Sequence, residues 1–335
     1  MRRLGKTNIN VCEIGLGGIP IQKLDSDTAK LIIKEMIKRG GNVIDTARGY
    51  TNSEELIGEA LQDCREKVYI MSKSPARSYQ AMKNDIKKSL QSLKTKYIDL
   101  YQFHNVRNHE EYNLIMSENG AYNALLDAQK EGLINHIGIT SHSLSFLESI
   151  IDDFPFSTIQ FPYNIVETQA TALFERAAKN DIGVIVMKPL AGGAIQNSAL
   201  ALKFVLNNPN ISVVIPGMES SEQVNKNYDV LGLSMKTIDY DEIELVRKVL
   251  DDDFCRRCGY CLPCTVGIDI PSCFTIESYY SRYSLHEWAY SRYNMLEKKA
   301  EDCIECQVCE AKCPYHIKIS EKMKIVAEVF KEYTK

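Results

Sequence analysis

Four polar residues stand at or just beyond the ends of short apolar segments: Asp45, Tyr50, Lys73 and His104. A lysine that leaves a buried segment is costly to desolvate unless a carboxylate accompanies it, so Asp45 is predicted to pair with Lys73. A nearby ammonium favours the phenolate form of a tyrosine, which makes Tyr50 a candidate general acid. His104 is a candidate for hydrogen-bonding a substrate oxygen. Together these residues suit protonation of a carbonyl oxygen while a hydride reaches its carbon.

Eight of the 11 cysteines lie in two compact runs near the C-terminus. The second run has the bacterial ferredoxin spacing, C-x2-C-x2-C-x3-C followed by proline, in which each [4Fe-4S] cluster takes three cysteines from one run and the fourth from the other. Two clusters are therefore predicted. The first has the ligands Cys255, Cys258, Cys261 and Cys313, and the second has Cys303, Cys306, Cys309 and Cys264.

Cys264 is the least regular of these ligands. The run that ends at Cys264 has two residues before its last cysteine, where the ferredoxin spacing has three. It is followed by Thr265, where that pattern has proline. Structural zinc is the alternative, but zinc ligands usually come as two pairs separated by a longer loop. The other cysteines, Cys12, Cys64 and Cys273, are predicted to be ordinary thiols.

Strand and helix patterns alternate along the first two thirds of the chain, which favours parallel βα units. Eight strands are predicted, and they end at Gly18, Asp45, Lys73, His104, Thr140, Phe161, Met187 and Pro216. Eight units close a (β/α)8 TIM barrel, whose active site lies at the carboxyl ends of the strands. A doubly wound sheet is the alternative, but the glycine-rich segment at 15–18 lacks the full GxGxxG helix entry. Any one of these polar residues at a strand end could be an ordinary loop residue with its hydrogen bonds satisfied. The occurrence of four of them on adjacent strands favours a catalytic site.

The chain has 335 residues, of which 44% are hydrophobic and 25% charged. This length fits a barrel over residues 1–250 and a small ferredoxin-like domain over 251–335, closed by a helix from Ser320 to Tyr333. No apolar run approaches the ~20 residues that span a bilayer, so no membrane role is predicted. A net charge of −4 without a long basic stripe disfavours nucleic acid as a partner. The N-terminus lacks a secretory signal pattern, and a cytoplasmic location is expected.

An aromatic segment separates the two cysteine runs. The triplet Ser-Arg-Tyr occurs twice in it, at 281–283 and 291–293, and Trp288 lies between the two copies. We predict a helix that shields the clusters or packs on the barrel, rather than a surface that stacks nucleobases.

The barrel portion, from about Arg2 to Asn227, resembles the aldo/keto reductase superfamily. The resemblance depends on Arg3 to Thr7, Leu16 to Gly18, Asp45 to Tyr50, Ser53-Glu54, Ile57 to Leu61, Lys73, His104, Pro189-Leu190 and Ile215-Pro216. It implies that Asp45, Tyr50, Lys73 and His104 form the family tetrad with Tyr50 as general acid. It also implies a nicotinamide cofactor across the strand ends. The implied contacts are Thr140, Ser141, Gln160, Met187, Lys188, Pro189, Leu190, Gly192, Gly193, Pro216, Gly217, Met218, Gln223 and Asn227.

Two departures from the family pattern bear on the cofactor. Met187 stands where many relatives carry an aromatic ring that stacks on nicotinamide, and Gly217 and Gln223 stand where many carry cations for the 2′-phosphate. Without those cations the phosphate loses charge-assisted contacts, so either NADP or NAD is expected.

The main hypothesis is a cytoplasmic NAD(P)H-dependent oxidoreductase that acts on a small aldehyde or ketone. Hydride transfer moves two electrons, whereas an iron-sulfur cluster passes one, so the clusters have a structural role or exchange electrons with a protein partner. The competing hypothesis is a catalytically weak nicotinamide-binding regulatory protein that contacts an electron-transfer partner through its clusters.

Overall fold

Parallel strands form the centre of the computed structural model, which describes residues 1–332. A short antiparallel hairpin, β1 (Arg2–Arg3) and β2 (Asn10–Val11), comes first. The parallel strands are β3 (Leu16–Gly17), β4 (Val43–Asp45), β5 (Tyr69–Ser74), β6 (Ile98–Phe103), β7 (Ile134–Thr140), β8 (Thr158–Pro162), β9 (Gly183–Met187) and β10 (Val213–Val214). Each pairs with the next in chain order, from β3 to β10.

The sheet closes where its first and last strands meet. Gly15 N–H donates to the Val214 carbonyl at 2.9 Å, and a further parallel bridge joins Gly17 to Gly217. Helices cover the sheet: α1 (Ser26–Lys38), α2 (Ser53–Ala60), α3 (Tyr79–Ser92), α4 (His109–Met116), α5 (Ala121–Lys130), α6 (Leu144–Ile150), α7 (Thr171–Lys179), α8 (Ser198–Leu206) and α9 (Ser221–Tyr228). The predicted (β/α)8 fold is confirmed.

Burial explains why these segments become strands. All six residues of β6 are buried, as is expected of parallel strands covered on both faces. Helix starts follow capping side chains, such as Asp25, whose carboxylate accepts the Thr28 N–H. Helix α4 was not predicted, because it has only eight residues and Ile115 is its single buried residue.

Two compact units divide the chain. The first is Met1–Leu190 with Asn197–Met235, and the second is Ala191–Gln196 with Lys236–Lys335. The second unit contains α10 (Thr237–Leu250), α11 (Ile270–Ser281), α12 (His286–Asn294), α13 (Val308–Ala311) and α14 (Ile319–Glu332). It thus begins before α10, whereas the sequence suggested a boundary after that helix. The closing helix matches its prediction up to Glu332, and Tyr333 lies outside the described residues.

Aromatic residues of the second unit pack on one another. The Tyr279 and Trp288 rings meet edge to face at 4.9 Å between centroids, and Tyr293 stacks on Phe330 at 4.0 Å. The aromatic segment forms two helices, α11 and α12, where the sequence predicted one, and its rings pack within the second unit. Among residues 1–332, no helix combines the length and apolar character needed to cross a membrane.

Candidate functional site

A buried ion pair joins the ends of β4 and β5. Lys73 Nζ donates to Asp45 Oδ2 at 2.5 Å and to the Thr46 carbonyl at 2.9 Å. The two side chains are 2% and 4% exposed. The adjacent parallel strands bring these residues together, as the positions of their charges in the sequence predicted.

Burial and pairing act in opposite directions on both groups. Burial lowers the pKa of Lys73, and the neighbouring Asp45 carboxylate opposes that change. Burial likewise raises the pKa of Asp45, while Lys73 and hydrogen bonds from Gln160 and Gln102 oppose it. Each charge is therefore tolerated in the barrel because the other is present.

Tyr50 and His104 lie beside this pair. Lys73 Nζ is 5.1 Å from the centroid of the Tyr50 ring, and the His104 ring meets the Tyr50 ring edge to face at 5.9 Å. Both aromatic residues are half-buried. The structure thus gathers all four predicted residues at the carboxyl ends of β4, β5 and β6.

The turn that carries Tyr50 is held by a second ion pair, in which only the carboxylate is buried. Arg48 pairs with Glu54, which is 2% exposed and also accepts the Ser72 hydroxyl at 2.6 Å. The Arg48 N–H donates to the Lys73 carbonyl at 3.0 Å, which extends the pairing of β4 with β5. Sequence reasoning missed this role because Glu54 has the ordinary position of an acidic residue in the first turn of a helix.

The end of β6 is anchored in a similar way. The His104 N–H donates to the Ser74 carbonyl, and Arg77 donates to the His104 carbonyl, both at 2.9 Å. Asn105 has a positive φ of 53°, and its N–H donates to Thr140 Oγ1 at 2.8 Å. These bonds fix the backbone from which the His104 side chain projects.

Three residues near this end of the barrel have groups that suit a nicotinamide carboxamide. Gln160 is 1% exposed, and its Oε1 has no hydrogen-bond partner among residues 1–332. An unpaired buried acceptor is costly, so an amide donor from a ligand would stabilise it. Thr140 and Ser141 are also buried and lie on the neighbouring strand end, since Thr140 pairs with Gln160.

The other residues implied for the cofactor are distributed over two loops. Met187 ends β9, and Lys188, Pro189 and Leu190 follow it within the first unit. The loop after β10 contains Pro216, Gly217 and Met218. It leads to Gln223, whose side chain accepts the Glu219 N–H at 2.8 Å, and to buried Asn227. Gly192 and Gly193 instead belong to the second unit, where Arg282 Nε donates to the Gly192 carbonyl at 2.9 Å.

Four of the predicted cluster ligands line one cavity of the second unit. They are Cys255, Cys258, Cys261 and Cys313, the set predicted for the first cluster. Burial raises the pKa of Cys261 to about 12, and the neighbouring Cys255, Cys258 and Cys309 thiols add to that rise. Four thiols that line one cavity match the four cysteine ligands that a [4Fe-4S] cluster takes.

The two cysteine runs share one backbone pattern, which the sequence did not reveal. Positive φ angles occur two and four residues after the first cysteine of each run, at Arg257 and Gly259 in one and at Glu305 and Gln307 in the other. Such alternation of backbone conformation points N–H groups into a concavity that suits iron-sulfur clusters. The first five residues of the two runs therefore share this pattern of positive φ.

The pattern continues after the last cysteine of each run. Gly267 and His316 both have a positive φ and donate to the carbonyl three residues earlier, at Cys264 and Cys313. An Ile-x-Ile segment and a helix follow in both cases. Cys264 is thus the structural equivalent of Cys313, which supports it as a ligand although one residue is missing from its run.

Comparison with known proteins accounts for the first unit. Residues 13–200 match the aldo/keto reductase family, and this span is more than half of the chain. The chain belongs to the aldo/keto reductase family. This reductase is 25% identical over 303 residues to L-galactose dehydrogenase of Arabidopsis thaliana, covering 73% of this chain and 93% of that one. It is 26% identical over 215 residues to the oxidoreductase YqkF of Bacillus subtilis, covering 59% and 67%.

Solved structures support the fold of the reductase. An aldo-keto reductase from Klebsiella pneumoniae in complex with NADPH superposes with a TM-score of 0.63 at 21% identity, covering 74% of this chain and 94% of that one. Residues 254–318 match a 4Fe-4S dicluster domain. The reductase is therefore an oxidoreductase that carries an iron-sulfur domain after its barrel.

Proposed function

We propose that this reductase transfers a hydride from NADH or NADPH to a small aldehyde or ketone. The observation that carries the proposal is the buried Asp45–Lys73 pair with the Tyr50 ring 5.1 Å from the ammonium. When bound, the nicotinamide supplies the hydride. Tyr50 donates the proton to the carbonyl oxygen, and the Lys73 ammonium favours the phenolate that remains.

The neighbouring residues hold the reactants. Asp45 keeps Lys73 charged and in place, and His104 orients the carbonyl oxygen towards the Tyr50 hydroxyl. Gln160, Thr140 and Ser141 bind the carboxamide of the cofactor. Steady-state oxidation of NADH or NADPH across a panel of small aldehydes and ketones, under anaerobic conditions, tests the proposal. No turnover with any member would favour the competing hypothesis of a regulatory nicotinamide-binding protein.

NADH is expected to be the better cofactor, with a kcat/KM about tenfold or more above that of NADPH. The loop after β10 has Gly217 and Gln223 in place of cations, and Lys23 is paired with Glu219 at 2.9 Å. Each charge-assisted hydrogen bond that is lost weakens phosphate binding by roughly 1.5–3 kcal/mol. Initial rates with both cofactors at subsaturating concentration measure the ratio.

A matched variant tests the cause of this preference. Gln223→Arg should raise kcat/KM with NADPH and leave that with NADH nearly unchanged, because Gln223 is exposed and a new cation would reach only the phosphate. A wild-type preference for NADPH would show that a cation from another loop binds the phosphate.

Protein purified without oxygen is expected to contain about eight iron and eight sulfide atoms per chain, as two [4Fe-4S] clusters require. Cys264→Ser should reduce both contents by about half, because we propose Cys264 as the fourth ligand of one cluster and the backbone repeat supports that role. Cys273→Ala is the control, since Cys273 is buried in the core of the second unit and outside both ligand sets. Colourless protein that contains zinc would contradict the prediction.

The clusters are proposed to exchange single electrons with a protein partner in the cytoplasm. The supporting observation is that Cys258 and Cys306, one from each ligand set, are exposed. If NADH bleaches the visible cluster absorption, the two halves of the chain are linked functionally.

A further inference from the structure

We propose that Arg256 raises the reduction potential of the cluster held by Cys255, Cys258, Cys261 and Cys313, so that this cluster is reduced before the other. The inference rests on the proposed assignment of two clusters. Arg256 lies between the predicted ligands Cys255 and Cys258. The proposed hydride transfer does not use Arg256.

Arg256 is a buried cation beside the first set of cysteines. It is 5% exposed and lines the same cavity as the four thiols. Its guanidinium donates to the carbonyls of Asp251 at 2.7 Å and Phe254 at 3.2 Å, and it lies 4.0 Å from the centroid of the Tyr315 ring. These contacts fix a permanent positive charge at the wall of the cavity.

The carboxylate that pairs with Arg256 cancels only part of this charge. Asp251 accepts a hydrogen bond from the guanidinium at 2.5 Å, but its side chain is 65% exposed. Water screens an exposed charge far more than a buried one. The Arg256–Asp251 pair therefore contributes a positive potential at the wall of the cavity. Reduction adds one negative charge to a cluster, so this potential favours the reduced form.

The second run has no such cation at the matching position. The backbone repeat places Ile304 where the first run has Arg256, and Glu305 where it has Arg257. Ile304 is 59% exposed, and Glu305 pairs with Lys324 at 2.7 Å with both side chains more than half exposed. The environment of the second cluster therefore lacks a buried charge at this place in the loop.

One contact acts in the opposite direction. The Thr265 hydroxyl lies 3.4 Å from Cys306 Sγ, and a hydrogen bond to a ligand sulfur raises the potential of the second cluster. This is a single interaction of a neutral hydroxyl, and Cys306 is exposed to water. A full charge in a buried position has the larger effect, so the first cluster keeps the higher potential.

The test is an anaerobic redox titration of the full chain, followed by electron paramagnetic resonance. Wild type should show two separate reduction steps. Arg256→Met removes the charge but keeps an unbranched apolar stem against Tyr315, and it should shift the higher potential to more negative values while leaving the lower one unchanged. Arg256→Lys should restore most of the wild-type value. Ile304→Arg is the matched control, and its exposed cation should shift neither step appreciably.

Cluster identity is established in wild type by proton NMR of selectively labelled cysteines in the half-reduced protein. The shifted β-proton signals of the reduced cluster should belong to Cys255, Cys258, Cys261 and Cys313, and their assignment to the other set would overturn the inference even if Arg256→Met does not fold. Unshifted potentials in a fully loaded Arg256→Met protein would overturn it as well. Wild type that contains fewer than eight iron atoms would overturn the assignment of two clusters. Iron content therefore distinguishes a failure of that assignment from a failure of the proposed effect of Arg256.

Discussion

Replacing Tyr50 by phenylalanine is expected to lower kcat/KM for carbonyl reduction by about 10²–10⁴-fold, the usual contribution of a positioned general acid. The variant loses one hydroxyl group and keeps the ring that lies 5.1 Å from Lys73 and meets His104. Cofactor binding should change little, because Tyr50 is not among the residues proposed to hold the carboxamide. The loss should therefore appear in kcat, measured with the preferred cofactor and a saturating aldehyde.

Tyr122→Phe is the matched control for this variant. Tyr122 is half-buried in the same unit, and its ring packs edge to face on Phe156. Removal of its hydroxyl should leave kcat/KM within about twofold of wild type and the circular dichroism spectrum unchanged. If Tyr50→Phe turned over at a rate close to that of Tyr122→Phe, a group other than Tyr50 would be the proton donor.

Much of the barrel and of its polar centre could be predicted because both depend on local signals. The apolar segment that ends at Asp45 becomes a fully buried strand, and adjacent parallel strands must bring their last residues together. A lysine with 2% exposure then requires a carboxylate, and the sequence offered Asp45 on the adjacent strand. Periodicity, charge and chain order thus sufficed to place these two residues.

Other features depend on contacts or conformations that the sequence pattern does not carry. Glu54 has the appearance of a helix-start residue, and only the fold shows that it binds Arg48 and Ser72. The equivalence of Cys264 with Cys313 lies in the φ angles of Gly267 and His316, and those two residue types share no obvious property. Unequal spacing made Cys264 the least regular of the predicted ligands, whereas the backbone after it matches that after Cys313.

Replacing Lys73 by methionine alone is expected to lower the free energy of unfolding by roughly 3–5 kcal/mol at neutral pH, because it leaves the Asp45 charge buried and unpaired. The double variant Asp45→Asn/Lys73→Met should lie within about 1 kcal/mol of wild type, since replacing a buried pair by neutral groups of similar volume is often nearly neutral for stability. Both variants should lack reductase activity. Denaturant unfolding followed by circular dichroism measures the two free energies.

The pH dependence of the Lys73→Met variant follows from Asp45. Burial raises the pKa of Asp45 above its ordinary value of 3.8, and loss of Lys73 removes the largest opposing influence. A group whose pKa is raised by folding favours the folded state below its unfolded pKa, and this contribution is lost as the pH rises through the folded value. The stability deficit of the single variant relative to the double variant should therefore shrink on acidification towards pH 4.

Lys94→Met is the matched control for these measurements. Lys94 also pairs with a carboxylate, Glu59 at 3.2 Å, but both side chains are about two-fifths exposed. Its loss should lower the free energy of unfolding far less than the loss of Lys73 does, with no more pH dependence than wild type shows. The comparison isolates burial as the cause, because both variants remove a lysine from an ion pair. Equal losses for Lys73→Met and Lys94→Met would mean that water reaches Asp45, and the ammonium beside Tyr50 would then lack the dry surroundings that its proposed role requires.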